Sequence, residues 1–276
     1  MTKIHLNGRL IDAGEARIDP ADRGLLLADG LFETLRAYGG RSFCLDLHLA
    51  RLAAGAALLG LPAPPVPEIA AAVRDTAAAN GLADASIRIT LTRGAGPRGL
   101  LPPAEVTPTL MVVAHPLPAA LPTAMSACLA SIRRNEHSPL SRVKSLAYLE
   151  NILALGEAAA AGYDEAILLN TAGRIAAGSR SNLFLVLDGV ITTPPPSEGL
   201  LPGIARHTVL ALAAKRGIPV QEMPVAPAEM ARASEAFLTN SLLEVVPLTR
   251  LQDRLLPEGP VTASVRQLYR DSTAAP

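Results

Sequence analysis

Ser141-Arg142-Val143-Lys144-Ser145-Leu146 is the stretch on which the reading of this chain turns. Of 25 basic residues only three are lysines, Lys3, Lys144 and Lys215. A chain that uses arginine wherever charge suffices draws attention to the lysines that remain, because arginine cannot replace a nucleophilic amine. Lys3 sits at the edge of an N-terminal strand. Lys215 falls in the last turn of a helix closed by Gly217, where a cation favours the helix dipole. Lys144 has neither explanation. It precedes an amphipathic helix predicted over Leu146 to Ala161 and is flanked by Val143 and Leu146. Desolvation at such a strand-to-helix junction lowers an amine's pKa and makes it a Schiff-base nucleophile. The competing reading is a lysine that caps the helix or snorkels to solvent.

Outward from that stretch, hydrophobic periodicity sets the organisation. Asn7-Gly8 between two alternating runs reads as a hairpin. Leu31 to Tyr38 alternates as a strand and turns at Gly39-Gly40. Asp46 to Leu59 reads as a helix stopped by Gly60, and Pro67 to Ala79 as a second. Ile87, Ile89 and Leu91 mark a half-buried strand leading into the loop Arg93-Gly94-Ala95-Gly96-Pro97-Arg98-Gly99, and Leu110 to Ala114 is a buried strand. The prolines of His115-Pro116-Leu117-Pro118-Ala119-Ala120-Leu121-Pro122 make a stiff linker. We therefore expect a small α/β domain over 1–115, a linker over 116–122 and a larger domain over 123–276. In the second domain strands are expected over Ala124 to Ile132, Ala166 to Leu169 and Ala236 to Thr239. A hairpin is expected from Leu183 to Thr193 around Asp188-Gly189, and a helix from Ile204 to Arg216. Strands and helices mix without strict alternation, which points to α+β domains rather than a doubly wound sheet.

Composition narrows the function. The chain has 276 residues, 49% of them hydrophobic and 18% charged, as a packed globular protein requires. Its formal net charge is +0, which excludes the electrostatic footprint of a nucleic-acid or anionic-membrane binder. Two cysteines, Cys44 and Cys128, cannot form a disulfide framework and read as core fillers. No apolar run approaches the length of a membrane span. A cytoplasmic protein without membrane or nucleic-acid partners is the expectation. The five histidines have no metal-ligand spacing, and no metal site is expected.

One further element bears on chemistry. Leu200-Leu201-Pro202-Gly203-Ile204-Ala205-Arg206 opens a helix. Gly203 lets a ligand approach the backbone, and the amides of Ile204 and Ala205 would face an anion. Neither a Walker loop nor a G-x-G-x-x-G motif is present, so a nucleotide is disfavoured. A Schiff-base lysine together with a helix-borne phosphate site is the chemistry of pyridoxal 5'-phosphate.

Seven segments, in order, resemble one family. They are Asp22-Arg23-Gly24, Ala28-Asp29-Gly30-Leu31-Phe32-Glu33-Thr34-Leu35-Arg36, His48-Leu49-Ala50-Arg51-Leu52, Lys144-Ser145-Leu146, Gly178-Ser179-Arg180-Ser181-Asn182-Leu183-Phe184, Leu201-Pro202-Gly203-Ile204 and Thr239-Asn240-Ser241-Leu242. Together they resemble the fold-type IV pyridoxal-phosphate enzymes, the class IV aminotransferases. That group includes branched-chain and D-amino-acid aminotransferases and 4-amino-4-deoxychorismate lyase. The resemblance implies a two-domain α+β fold, with a small α/β N-terminal domain and a larger pseudo-barrel C-terminal domain. It implies a homodimer with an active site between the domains, touched by the partner subunit. Lys144 matches the lysine that links to the cofactor and shuttles the proton. Arg51 matches the arginine that holds the phosphate, with the backbone at Gly203, Ile204 and Ala205 and the residues Ser181, Asn182, Asn240 and Ser241 completing the cofactor site. Tyr148 resembles a tyrosine that reaches the cofactor's phenolic oxygen. Arg98 matches an arginine of the substrate-carboxylate pocket. Phe32 and Leu100 stand where the D-amino-acid branch places a tyrosine and a histidine, which argues against a standard D-amino-acid aminotransferase.

Two positions depart from the pattern. Ala177 stands where the family has a glutamate against the pyridine nitrogen, and Ala147 replaces an asparagine after Lys144-Ser145-Leu146. The loop Arg93 to Gly99 and the segment Thr239 to Leu242 look most like the lyase branch. The first expectation is therefore a 4-amino-4-deoxychorismate lyase that releases pyruvate and 4-aminobenzoate, a step of folate biosynthesis. The alternative is a branched-chain or D-amino-acid aminotransferase acting on an amino-acid-like substrate. A third is a cofactor-binding homologue with weak catalysis.

Overall fold

The computed structural model of the protein describes residues 2–274. The chain divides into two compact units. One holds the residues up to 119 together with 143–147, and the other holds 120–142 and the residues from 148 onward.

The first unit is a six-stranded sheet with two long helices on one face. Its strands are β1 (Lys3–Leu6), β2 (Arg9–Asp12), β3 (Gly30–Tyr38), β4 (Arg41–Ser42), β5 (Ala85–Thr92) and β6 (Thr109–Pro116), in the spatial order β2-β1-β6-β5-β3-β4. The Asn7-Gly8 turn has φ of 47° and 82°, both in the left-handed region that a tight hairpin requires. After a short α1 (Arg23–Leu27), the main helices are α2 (Leu45–Leu59) and α3 (Val66–Ala79). Period-2 alternation sorts β3 and β5 into two faces. Leu31, Leu35, Ile87, Ile89 and Leu91 pack with Leu49 and Leu52 of α2 and Ile69 and Val73 of α3. Phe32, Thr34 and Arg36 alternate with them and take the opposite face.

The second unit is a nine-stranded sheet. Its strands are β7 (Met125–Arg134), β8 (Glu165–Asn170), β9 (Ile175–Gly178), β10 (Asn182–Leu187), β11 (Val190–Thr193), β12 (Val220–Glu222), β13 (Glu235–Asn240), β14 (Glu244–Leu251) and β15 (Arg254–Leu255). The order is β12-β11-β10-β13-β14-β7-β8-β9, with β15 on β14, and the β7–β8, β7–β14 and β11–β12 pairs are parallel. Helices α4 (Leu149–Ala160), α5 (Ile204–Lys215), α6 (Pro227–Met230) and α7 (Pro260–Ala274) accompany it. Ala154 and Ala158 of α4 pack on Cys128, Ala166 and Leu168, while α5 and α7 pack on each other and on β13. Neither cysteine forms a disulfide; Cys128 is buried and Cys44 half-buried.

One expected element begins elsewhere. The helix read from Leu146 starts at Leu149, because Lys144 to Leu146 are used by β3 instead. Phe32 N donates to Lys144 O (2.9 Å), Leu146 N donates to Gly30 O (3.0 Å), and Leu31 bridges Ser145. The short β4 pairs only with Ala37 and Tyr38, so the start of β3 has an open edge that these residues fill. The expected linker also begins late, since Pro116 is the last residue of β6.

Candidate cofactor site

In the first unit the pairing on β3 fixes the backbone of Lys144. Its half-buried side chain places the ammonium 4.3 Å from the centroid of the Phe32 ring. The exposed Arg88 lies over the same ring at 3.9 Å. Phe32 and Arg88 share the helix-free face of the sheet because Phe32 pairs with Thr90, two residues on from Arg88. A basic, aromatic corner is thus built around the amine.

Arg51 lies on the other face of β3. Its Nε donates to Glu33 Oε1 (2.8 Å) and its Nη2 to Glu33 Oε2 (2.7 Å), while His48 Nδ1 lies 2.7 Å from Oε2. Glu33 is fully buried between Leu31 and Leu35. Burial alone would raise its pKa, but the hydrogen bonds and charges of Arg51 and His48 outweigh it and hold the carboxyl at about 2. The bidentate pair orients the guanidinium. Sequence reading named Arg51 but not Glu33 or His48 as site residues. The available signal was a carboxylate at a core-facing position of an alternating strand, opposite a helix stripe carrying both His48 and Arg51.

The loop that bears Arg98 is clamped at its base. Arg23 is buried, and it donates through Nη1 to Gly99 O (2.9 Å), through Nη2 to Leu100 O (2.8 Å) and through Nε to Asp29 Oδ2 (2.9 Å). Arg93 meets the same Asp29 oxygen at 2.8 Å and donates to the carbonyls of Leu59 and Gly60 at the end of α2. Burial disfavours the Asp29 anion, yet hydrogen bonds from Arg93 and Arg23 lower its pKa. Asp22 accepts from Gly24 N, Thr92 Oγ1 and Thr109 Oγ1, so the Asp22-Arg23-Gly24 motif ties down the loop base. Arg98 is exposed, and Leu100 beside it is 83% exposed.

In the second unit three turns carry the remaining candidates. The first links β9 to β10. Buried Glu165 accepts from Ser181 Oγ (2.8 Å), from Ser179 N (3.1 Å) and from Ser179 Oγ. Ser179 O in turn accepts from Asn151 of α4. Ser181 therefore gives its hydroxyl hydrogen to a carboxylate. The second turn leads into α5. Asn182 Nδ2 donates to Leu201 O (3.1 Å), and Gly203 is a helix N-cap with no side-chain cap on it. Ile204 and Ala205 are buried in the first turn of α5. In the third turn, Asn240 Oδ1 accepts from Leu242 N (2.9 Å) and Leu243 N (2.7 Å), and its Nδ2 donates to Arg180 O (3.2 Å). Half-buried Ser241 lies within this turn, and half-buried Tyr148 immediately precedes α4.

The donor set suits a phosphorylated aldehyde cofactor. An α-helix N-terminus with a glycine cap offers backbone amides and a positive dipole end to a phosphate. Lys144 offers the amine. In the second unit Ala177 is 9% exposed and pairs with Leu168, so an apolar residue stands at that position of β9. Among the described residues no group of histidines, cysteines and carboxylates could hold a metal ion.

The sequence profile described as "Amino-transferase class IV" matches residues 30–251. The chain belongs to the class IV aminotransferases. A putative branched-chain-amino-acid aminotransferase of Methanocaldococcus jannaschii is 38% identical over 98% of this chain and 96% of its own length. The crystal structure of the branched-chain aminotransferase from Thermoproteus uzoniensis with norvaline superposes with a TM-score of 0.93 at 34% identity, covering 99% of this chain and 95% of that one. An aminodeoxychorismate lyase of Bacillus subtilis is 30% identical over 97% of this chain and 93% of its own length. The class IV enzyme is fold-type IV and depends on pyridoxal phosphate, as the resemblance implied. The lyase, the first expectation, is not confirmed, since a putative branched-chain relative matches at 38% identity and the lyase at 30%. Among the described residues no helix is long and apolar enough to cross a membrane.

Proposed function

We propose that this chain is a branched-chain amino-acid aminotransferase that passes the amino group of an apolar amino acid to a 2-oxo acid. The observation that carries the reading is the 38% identity to a putative branched-chain enzyme over nearly the full length of both chains. The local chemistry agrees. Phe32 presents an apolar ring beside Lys144, which suits an aliphatic side chain, and Arg88 gives a carboxylate a partner. Phe32 lacks the hydroxyl and Leu100 the imidazole expected of a D-amino-acid enzyme.

When bound, the cofactor supplies an aldehyde that takes up an amine and a ring that withdraws electrons from the attached carbon. Lys144 Nζ supplies the linking amine and moves the proton at the substrate Cα. The amides of Ile204 and Ala205 hold phosphate oxygens, and Arg51, oriented by Glu33, offers a guanidinium suited to an anion. Tyr148 and Ser241 add hydroxyl contacts, and Arg98 serves the substrate carboxylate.

The chain works as a homodimer in this reading. Support comes from α4, where Leu149, Ile152 and Leu153 are 72%, 61% and 60% exposed and form one apolar stripe. The deciding experiment incubates the holoenzyme with L- and D-amino acids plus 2-oxoglutarate or pyruvate, and separately with aminodeoxychorismate. Formation of branched-chain 2-oxo acids supports the proposal. Release of pyruvate and 4-aminobenzoate as the main activity would replace it with the lyase.

A further inference from the structure

We propose that Asn182 is a positioning residue: its carboxamide braces the N-terminus of α5, and so sets the phosphate-facing amides, without itself touching the cofactor. The inference rests on the reading that this helix end takes the phosphate. Asn182 opens β10 and is only 7% exposed. Its carboxamide lies against the segment leading into α5, hydrogen-bonded through Nδ2 and packed against Gly203 through Oδ1. Nδ2 donates to Leu201 O, and Oδ1 fills the volume that a side chain at residue 203 would need. A Cβ built on Gly203 collides with Oδ1 and comes within 3.3 Å of Cγ.

That collision explains an unusual helix start. N-caps are normally Ser, Thr, Asp or Asn, whose side-chain oxygens accept from the first amides. Gly203 supplies no such oxygen. The first-turn amides stay available to an anion, but the turn loses its own anchor. Asn182 restores one from the neighbouring strand. A second anchor is Arg206, in the same turn, whose Nη2 donates to Pro194 O (2.9 Å) and Glu222 Oε2 (2.5 Å). Donors fixed before the anion arrives need no reorganisation to receive it.

The test titrates apoenzyme with pyridoxal 5'-phosphate and with pyridoxal, which lacks the phosphate, and reads the ratio of the two dissociation constants. Inorganic phosphate serves as a competitor. Asn182→Ala should weaken pyridoxal phosphate by about five- to tenfold, the net worth of one hydrogen bond, and leave pyridoxal unchanged. Asn182→Asp keeps the shape but adds a competing anion at the helix end, so its loss should be larger. Gly203→Ala should reproduce the loss by pushing the brace aside. The pair Asn182→Ala with Gly203→Ala should be no worse than Asn182→Ala alone, because the collision is gone. Equal weakening of both ligands, no change in their ratio, or additive losses in the pair would overturn the proposal. If the unaltered protein does not prefer pyridoxal phosphate over pyridoxal, the phosphate reading itself falls, whatever the variants do.

Discussion

Replacing Glu33 by Gln removes a charge from the centre of the first unit while keeping the side chain's shape. The carboxyl titrates near 2 in the folded protein against an ordinary 4.5. At 1.36 kcal/mol per pH unit, that separation amounts to about 3 kcal/mol of stability carried by the ionised form. The sign follows from the depressed folded value. The contribution is complete above about 4.5 and fades as pH falls toward 2. The figure agrees with the roughly 3–5 kcal/mol lost when one partner of a buried ion pair is removed. Hydrogen exchange of β3 and α2 amides, corrected for intrinsic rates, isolates this unit from the other. Glu33→Gln should lower their opening free energy by about 3 kcal/mol at pH 7. The deficit should shrink by about 1.4 kcal/mol for each pH unit below 4.5. A deficit under about 1 kcal/mol at pH 7, or one that stays constant down to pH 2.5, would refute the reasoning and make Glu33 a packing residue.

Lys144→Ala should abolish the cofactor adduct fixed by borohydride reduction, whereas Lys3→Ala and Lys215→Ala should leave it at wild-type yield. A reducible adduct in Lys144→Ala would show that another amine serves. Ala177→Glu should accelerate substrate deprotonation by about four- to twelvefold in a single-turnover reaction, because half of a charge-assisted contact worth roughly 1.5–3 kcal/mol is about 0.75–1.5 kcal/mol, and 1.36 kcal/mol is tenfold. An unchanged rate in a folded, cofactor-loaded variant would mean that another group already serves the pyridine nitrogen. If the chain is the homodimer proposed above, Leu153→Asp on α4 should shift it to a monomer by light scattering, and a fully active wild-type monomer would exclude the dimer.

Much of the fold was legible because burial imprints period. Leu31 to Tyr38, Ile87 to Leu91 and the Leu49–Leu52 stripe alternate as their neighbours demand, and β3, β5 and α2 formed where expected. Elements with weak period were not read. β14 carries Pro247 in mid-strand, and α7 buries Thr262 and Thr273 beside Val265 and Tyr269, so neither offers an unbroken apolar pattern. The start of α4 was misplaced for a different reason. Lys144 to Leu146 suit a helix locally, and only a strand over a hundred residues away makes them extended. Lys144 and Gly203 are legible from residue type and position, whereas Arg51, one of many arginines, is marked only by the family resemblance. The supporting residues, Glu33 under Arg51, Glu165 under Ser181 and Arg23 under the loop of Arg98, are charged groups whose burial depends on distant partners.

The capture of residues 143–147 by β3 also constrains how the protein is made. A chain emerging from the ribosome cannot complete its first sheet at residue 119, because the segment covering the start of β3 has not yet been synthesised. Until then the amide of Phe32 and the carbonyl of Gly30 lie on an open strand edge beside an apolar core, the kind of edge that pairs with other chains. An excised fragment ending in the proline-rich stretch would keep that edge permanently. The nucleophile thus arrives as the closing strand of a domain begun long before it, and correct closure and placement of the amine are a single event.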